Sequence, residues 1–90
     1  MIRPINTVHY TSDFKKSYQK LSQNIQRLVD KKDAWFRKNA FDPRLKTHKL
    51  KGELRRYWSY SVTRKYRILF RFVKTDEVIY FDVGTHKIYR

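Results

Sequence analysis

His86, Arg67 and His48 are the side chains in this sequence best suited to chemistry, and what they suit is proton transfer beside a bound anion. A histidine ring titrates near neutrality, and His86 follows a Gly84-Thr85 turn just past the last apolar run. A surface or capping histidine is the plain alternative. Arg67 stands in an alternating stretch on the side opposite Tyr66, Ile68 and Phe70, so its guanidinium projects out of any core those three build. A planar, permanently charged donor on a rigid strand suits a phosphate, and Arg71 on the same side is a second candidate. His48 lies among Lys46, Lys49 and Lys51 and is the second candidate for proton transfer; a solvated loop histidine is the other reading. His9, away from both, reads as structural.

The setting of these residues is strongly basic. Between Lys46 and Lys74 there are ten Lys/Arg against the single acid Glu53. Lys46, Lys49, Lys51, Arg55, Arg56 and Arg64 are read as phosphate contacts, which supply affinity without sequence information. A net charge of +14 on 90 residues costs the folded state self-repulsion, which a polyanionic partner relieves. Nucleic acid is the leading candidate, and an acidic protein is compatible with it.

Other classes fall away. The three histidines and scattered acids lack metal-ligand spacing, no glycine-rich phosphate loop is present, and no Ser/His/Asp or Cys/His arrangement can be drawn, so neither metal nor cofactor is expected. With no cysteine there is neither a disulfide framework nor a thiolate, which fits a cytoplasmic protein. Met1-Ile2-Arg3-Pro4 does not open an apolar signal region, and no stretch approaches the roughly 20 apolar residues of a membrane span.

One small domain over residues 1–90 must position the candidates, and 40% hydrophobic and 17% aromatic residues suffice to fill its core. Ile5 to Tyr10 reads as a first strand. Thr11-Ser12-Asp13 offers caps to a helix running to about Leu21, and Ser22 caps a second through about Asn39, with Ile25, Leu28, Val29, Trp35 and Phe36 at helical spacing. The two form a hairpin. Pro43 breaks the pattern, and Leu45 and Leu50 anchor an irregular basic connection ending near Gly52. From there the period is two: Trp58 to Val62, Tyr66 to Phe72 and Val78 to Val83 predict three strands joined by the short turns at Thr63-Arg64-Lys65 and Lys74-Thr75-Asp76-Glu77. The fold class is α+β, in the order β-α-α-β-β-β, with a helical hairpin packed on an antiparallel sheet.

That order, with Leu50-Lys51-Gly52, Tyr66-Arg67-Ile68-Leu69-Phe70 and Val83-Gly84-Thr85-His86-Lys87-Ile88-Tyr89-Arg90, resembles the RelE/ParE superfamily of toxins from type II toxin–antitoxin pairs, nearest the RelE/YafQ-like mRNA interferases. The resemblance implies a concave basic face and an acidic or amphipathic antitoxin that wraps the toxin in a hetero-oligomer. RelE-like members cleave mRNA in the ribosomal decoding site without metal, whereas ParE-like members poison DNA gyrase. Fold alone does not choose between them.

Carried over residue by residue, the resemblance makes Arg67 the transition-state arginine, His86 and His48 functional histidines, and Tyr89 an aromatic that stacks on a base or assists proton transfer. A tyrosine packed against the sheet is the alternative for Tyr89. Histidine-using members also carry a His and an Asp where Ser61 and Lys65 stand here, and RelE itself offers a template of Lys49, Lys51 and Arg67 instead. The function implied is a metal-independent, ribosome-dependent endoribonuclease. A gyrase poison and a non-catalytic basic RNA- or partner-binding module are the alternatives. If the basic run binds RNA, neutralising Lys46, Lys49 and Lys51 together lowers the slope of log affinity against log salt by about two to three, since each phosphate contact releases roughly one counterion. Binding titrations across a salt series check this, and an unchanged slope would place the contact elsewhere.

Overall fold

The computed structural model describes residues 2–89 and builds them into a five-stranded sheet with two helices on one face. Strand β1 (Thr7–Tyr10) leads into α1 (Ser12–Lys20) and α2 (Gln23–Lys38). A 3-10 turn at Pro43–Leu45, the two-residue strand β2 (His48–Lys49) and a 3-10 turn at Gly52–Leu54 follow. Strands β3 (Trp58–Ser61), β4 (Arg67–Lys74) and β5 (Glu77–Gly84) complete the sheet, and a 3-10 turn at His86–Tyr89 closes the described chain. Arg90, the last residue of the C-terminal motif, lies outside the described residues.

Both helix starts are where the capping residues put them. Thr11 Oγ1 accepts from the amide of Phe14 at 3.0 Å and donates to the carbonyl of Phe81 at 2.8 Å, fastening the helix start to β5. Ser22 Oγ accepts from the amide of Ile25 at 3.3 Å. Strands β3, β4 and β5 form the antiparallel meander that period two predicts. The first strand departs from the antiparallel expectation: β1 runs parallel to β5, Thr7 opposite Glu77 and Tyr10 opposite Tyr80, so the sheet is mixed in the order β1-β5-β4-β3-β2. The chain's path explains this: α1 and α2 carry it from β1 to β2 at the far edge, and three successive reversals through β3 and β4 bring β5 back beside β1 running the same way. The connection expected to be irregular also contains β2, paired with β3.

Alternation sends Tyr60, Ile68, Phe70, Val78 and Tyr80 toward the helices, where they are buried with Phe36. Phe36 stacks on Tyr60 at 4.7 Å between centroids and meets Phe70 edge-on at 4.9 Å, arrangements worth about 0.5–1.5 kcal/mol each beyond area burial. Polar atoms inside this core form a chain. Tyr80 donates to Asp33 Oδ1 at 2.6 Å, leaving its own oxygen to accept from Tyr60 at 2.8 Å, while Arg37 donates to Asp33 Oδ2 at 2.9 Å and to Tyr10 at 2.8 Å. Burial, above all, pushes both phenols well above their ordinary pKa, so they act as neutral donors. Among the described residues no helix is long and apolar enough to cross a membrane. Tyr80→Phe strips Asp33 of a donor and Tyr60 of its acceptor, and should cost about 1–3 kcal/mol, read as a lowered melting temperature. A wild-type melting curve would show that the chain of hydroxyls contributes nothing.

Candidate active site

The candidate residues gather on the sheet face away from the helices. Residues that alternate with the core point outward: Ser59 and Ser61 on β3, Arg67, Leu69 and Arg71 on β4. Cross-strand pairing arranges them in rows. His48, Ser59, Leu69 and Asp82 form one, and Ser61, Arg67 and Gly84 the next.

Arg67 is the first residue of β4, directly after a hairpin held by Thr63, whose hydroxyl accepts from the amides of Lys65 and Tyr66 at 3.2 and 3.0 Å. Its Nη1 donates to Ser61 Oγ at 2.9 Å, which fixes the guanidinium and leaves its other donors for a ligand. Among the described residues no carboxylate forms a salt bridge with it. Arg67 and His86 line one open groove of about 480 Å³ together with Arg64, Lys65, Thr85 and Lys87. Four of those six side chains are cationic, so the groove has the sign that collects phosphate.

His86 is set there by the C-terminal turn. Gly84 ends β5 opposite Arg67, and a Cβ at Gly84 would fall 2.8 Å from Ile88 Cγ2, so glycine is what lets the turn fold back this closely. The amide of Ile88 donates to Thr85 at 3.0 Å, and the Tyr89 hydroxyl meets Ser59 Oγ at 2.6 Å. Ser59 is fully buried as a result, as is nearly all of Leu69, although both lie on the outward face. Tyr89 thus packs on the sheet, and its hydroxyl lies at the Ser59 row.

His48 stands outside the groove. It pairs with Ser59 across β2 and β3, which puts its side chain on the same outward face, within about 4.5–5.5 Å at Cβ. Its Nδ1 lies 2.9 Å from the carbonyl of Lys46, an atom that only accepts, so Nδ1 carries the hydrogen and a neutral ring has Nε2 free as a base. Arg67 and His86 thus share the groove, while His48 and Tyr89 each neighbour Ser59, one step along β3 from Ser61. His9 is engaged by Glu77 across β1 and β5, away from both pairs.

The basic residues divide. Lys46, in the left-handed conformation at φ 53° where it closes the Pro43–Leu45 turn, lines a second groove of about 260 Å³ that shares Arg64 and Arg67 with the first. Lys49, Lys51, Arg55 and Arg56 are exposed along the β2 edge, and Arg71 lies 5.8 Å over the ring of Tyr57. Lys32 and Arg44, which sequence reasoning missed, also line the second groove and sit 3.9 and 3.6 Å over the Trp35 ring. Desolvation, then the charges of Lys31 and Arg44, lower the Lys32 pKa, with Asp42 opposing them. Arg44 is aimed by Asp42, whose carboxyl the guanidinium and the Arg44 amide pull down to about 2. Among the described residues no three His, Cys, Asp or Glu side chains gather as metal ligands.

No protein-family model and no curated protein sequence matches the chain. Solved structures do. The chain superposes on the RelBE2 toxin–antitoxin complex of Mycobacterium tuberculosis with a TM-score of 0.76 at 21% identity, over 92% of this chain and 93% of that one. The YoeB/ParE toxin of Agrobacterium tumefaciens gives 0.75 at 18%, over 90% and 99%. YafQ of Escherichia coli gives 0.75 at 13%, over 91% and 94%. The fold is that of the RelE-like toxins. At these identities the RelE-like fold persists while most side chains have changed, which leaves the reading of the site to its geometry.

Gly84→Ala tests how the turn is held. Crowding Ile88 should take about 1–3 kcal/mol from the local stability of residues 85–89, seen as faster amide hydrogen exchange at Ile88, with β4 and β5 protected as before. Unchanged protection at Ile88 would mean that close approach at Gly84 does not hold the site together.

Proposed function

We propose that this protein is the toxin of a type II toxin–antitoxin pair, a ribosome-dependent endoribonuclease that cleaves mRNA and thereby stops translation. The observation that carries this reading is the groove in which Arg67, tethered to Ser61 and free of any acid among the described residues, stands with His86. Cleavage of an RNA phosphodiester requires three things: loss of the 2′-hydroxyl proton, neutralisation of the charge on the pentacoordinate phosphorus, and protonation of the 5′-oxygen as its bond to phosphorus breaks. Arg67 supplies the second, with Arg64, Lys65 and Lys87 raising the local phosphate concentration. His86 serves proton transfer at the groove, and His48, with Nε2 unengaged, assists from the Ser59 row beside the Tyr89 hydroxyl. Because the nucleophile is the internal 2′-hydroxyl, the products are a 2′,3′-cyclic phosphate and a 5′-hydroxyl.

An antitoxin with an acidic or amphipathic segment is the natural partner of a +14 chain, and the mycobacterial neighbour was solved as a toxin–antitoxin complex. Translated message places the action in the cytoplasm. A gyrase poison would need a binding surface rather than ionisable groups, and indifference to loss of His86 and Arg67 would favour it.

His86→Ala and Arg67→Ala should each lower the single-turnover cleavage rate on saturating ribosomes by about 10²–10⁴-fold while leaving folding and antitoxin binding intact. Primer extension on a translated message, with product-end analysis and a parallel gyrase supercoiling assay, reads this directly. Wild-type rates in both variants, a 5′-phosphate product, or inhibition of gyrase without cleavage would overturn the proposal.

A further inference from the structure

The outward face of the sheet continues beyond the groove, and its far part is aromatic. From Ser61, β3 leads back through Ser59 to Tyr57; from Arg67, β4 leads on through Leu69 to Arg71, whose guanidinium lies 5.8 Å from the Tyr57 ring centroid. A β-bulge adds the third member. Leu69 pairs with Asp82 but Phe70 pairs with Tyr80, so Phe81 is the extra residue of β5. Its ring meets Tyr57 edge-on at 5.2 Å and 88°. Both rings are half-buried and stand apart from the core cluster under the helices. In an edge-to-face pair, the ring that presents its edge keeps both faces clear of its partner. Arg55 and Arg56, exposed, immediately precede Tyr57. Aromatic faces flanked by arginines on a basic surface are what single-stranded nucleic acid stacks on.

We propose that Tyr57, Phe81 and Arg71 form a base-stacking subsite for the RNA strand whose scissile phosphate lies at Arg67. This rests on the ribonuclease reading above and extends it. Arg71 lies four steps along β4 from Arg67, roughly 13 Å at the rise of a strand, with the Tyr89 hydroxyl between them, so the stacked base belongs to a nucleotide near the cleaved bond but not at it. The subsite therefore holds and places the strand and takes no part in proton transfer. Stacking tolerates any base, so it contributes affinity rather than sequence choice.

The test compares two polyanions: a 2′-O-methyl oligoribonucleotide, which presents bases and cannot be cleaved by its 2′-oxygen, and inorganic polyphosphate, which presents charge alone. Tyr57→Leu should weaken oligonucleotide binding by roughly 5- to 150-fold and leave polyphosphate binding unchanged, while Tyr57→Phe keeps wild-type affinity for both. Phe81→Leu is the second variant, for use if Tyr57→Leu lowers the melting temperature enough to compromise the protein, and should show the same split. Arg67→Ala should weaken both ligands. If Tyr57→Leu and Phe81→Leu bind the oligonucleotide as the wild type does, or lose both ligands equally, the subsite is wrong while wild-type cleavage of a translated message leaves the ribonuclease reading standing. A wild type that neither binds the oligonucleotide nor cleaves the message overturns both.

Discussion

Ser59 and Tyr89 meet hydroxyl to hydroxyl at 2.6 Å, and on that contact rests the geometry of the open sheet face. One face of the sheet is closed by helices. The other is closed only where the C-terminal turn lies across it, burying Ser59 and Leu69 and bringing His86 to the mouth of the groove that Arg67 lines. Without the turn, Arg67 would be an arginine on a flat strand. With it, an arginine and a histidine share one concavity, flanked by lysines and arginines. The turn in turn requires Gly84, because any larger residue collides with Ile88.

A second constraint is charge. At +14 the chain repels itself, and the interior has to outweigh that repulsion. It does so with aromatic packing around Phe36 and with a hydroxyl chain through Tyr60 and Tyr80 to Asp33 and Arg37 that leaves, among the described residues, no buried side-chain polar atom without a partner. At the surface, cations are held by aromatic rings as well as by acids: Lys32 and Arg44 share Trp35, and Arg3 lies 5.1 and 5.2 Å from Phe72 and Phe41. Lys32 and Arg3, which form no salt bridge among the described residues, remain available to an incoming anion, whereas Arg44 is also paired with Asp42.

Much of this was legible in the sequence because it depends on local patterning. The alternation through Tyr66, Ile68, Phe70 and Phe72 turned Arg67 outward, Thr11 and Ser22 marked both helix starts, and Gly84-Thr85 placed His86 just beyond the last strand. What escaped depends on pairing between distant residues. Nothing local in Thr7 to Tyr10 says that it lies parallel to Glu77 to Tyr80. Ser59 and Leu69 are buried on the polar side only because the C-terminal turn covers them. Phe81 and its neighbour Asp82 share the outward face only because of a bulge. Lys32 and Arg44 come together on Trp35 from α2 and from beyond Pro43, a meeting that neither helical period nor charge count can show.

The central claim is that RNA is held on the open sheet face at Arg67 and His86. The most direct measurement is the map of backbone amide shifts in solution as a short 2′-O-methyl oligoribonucleotide is titrated into the protein. The account predicts saturable shifts at Ser61, Arg67 and residues 84–89, with Phe14, Tyr18 and Asp30 on the helical side unmoved. Shifts confined to the helical side, with Arg67 and His86 silent at saturation, would contradict it.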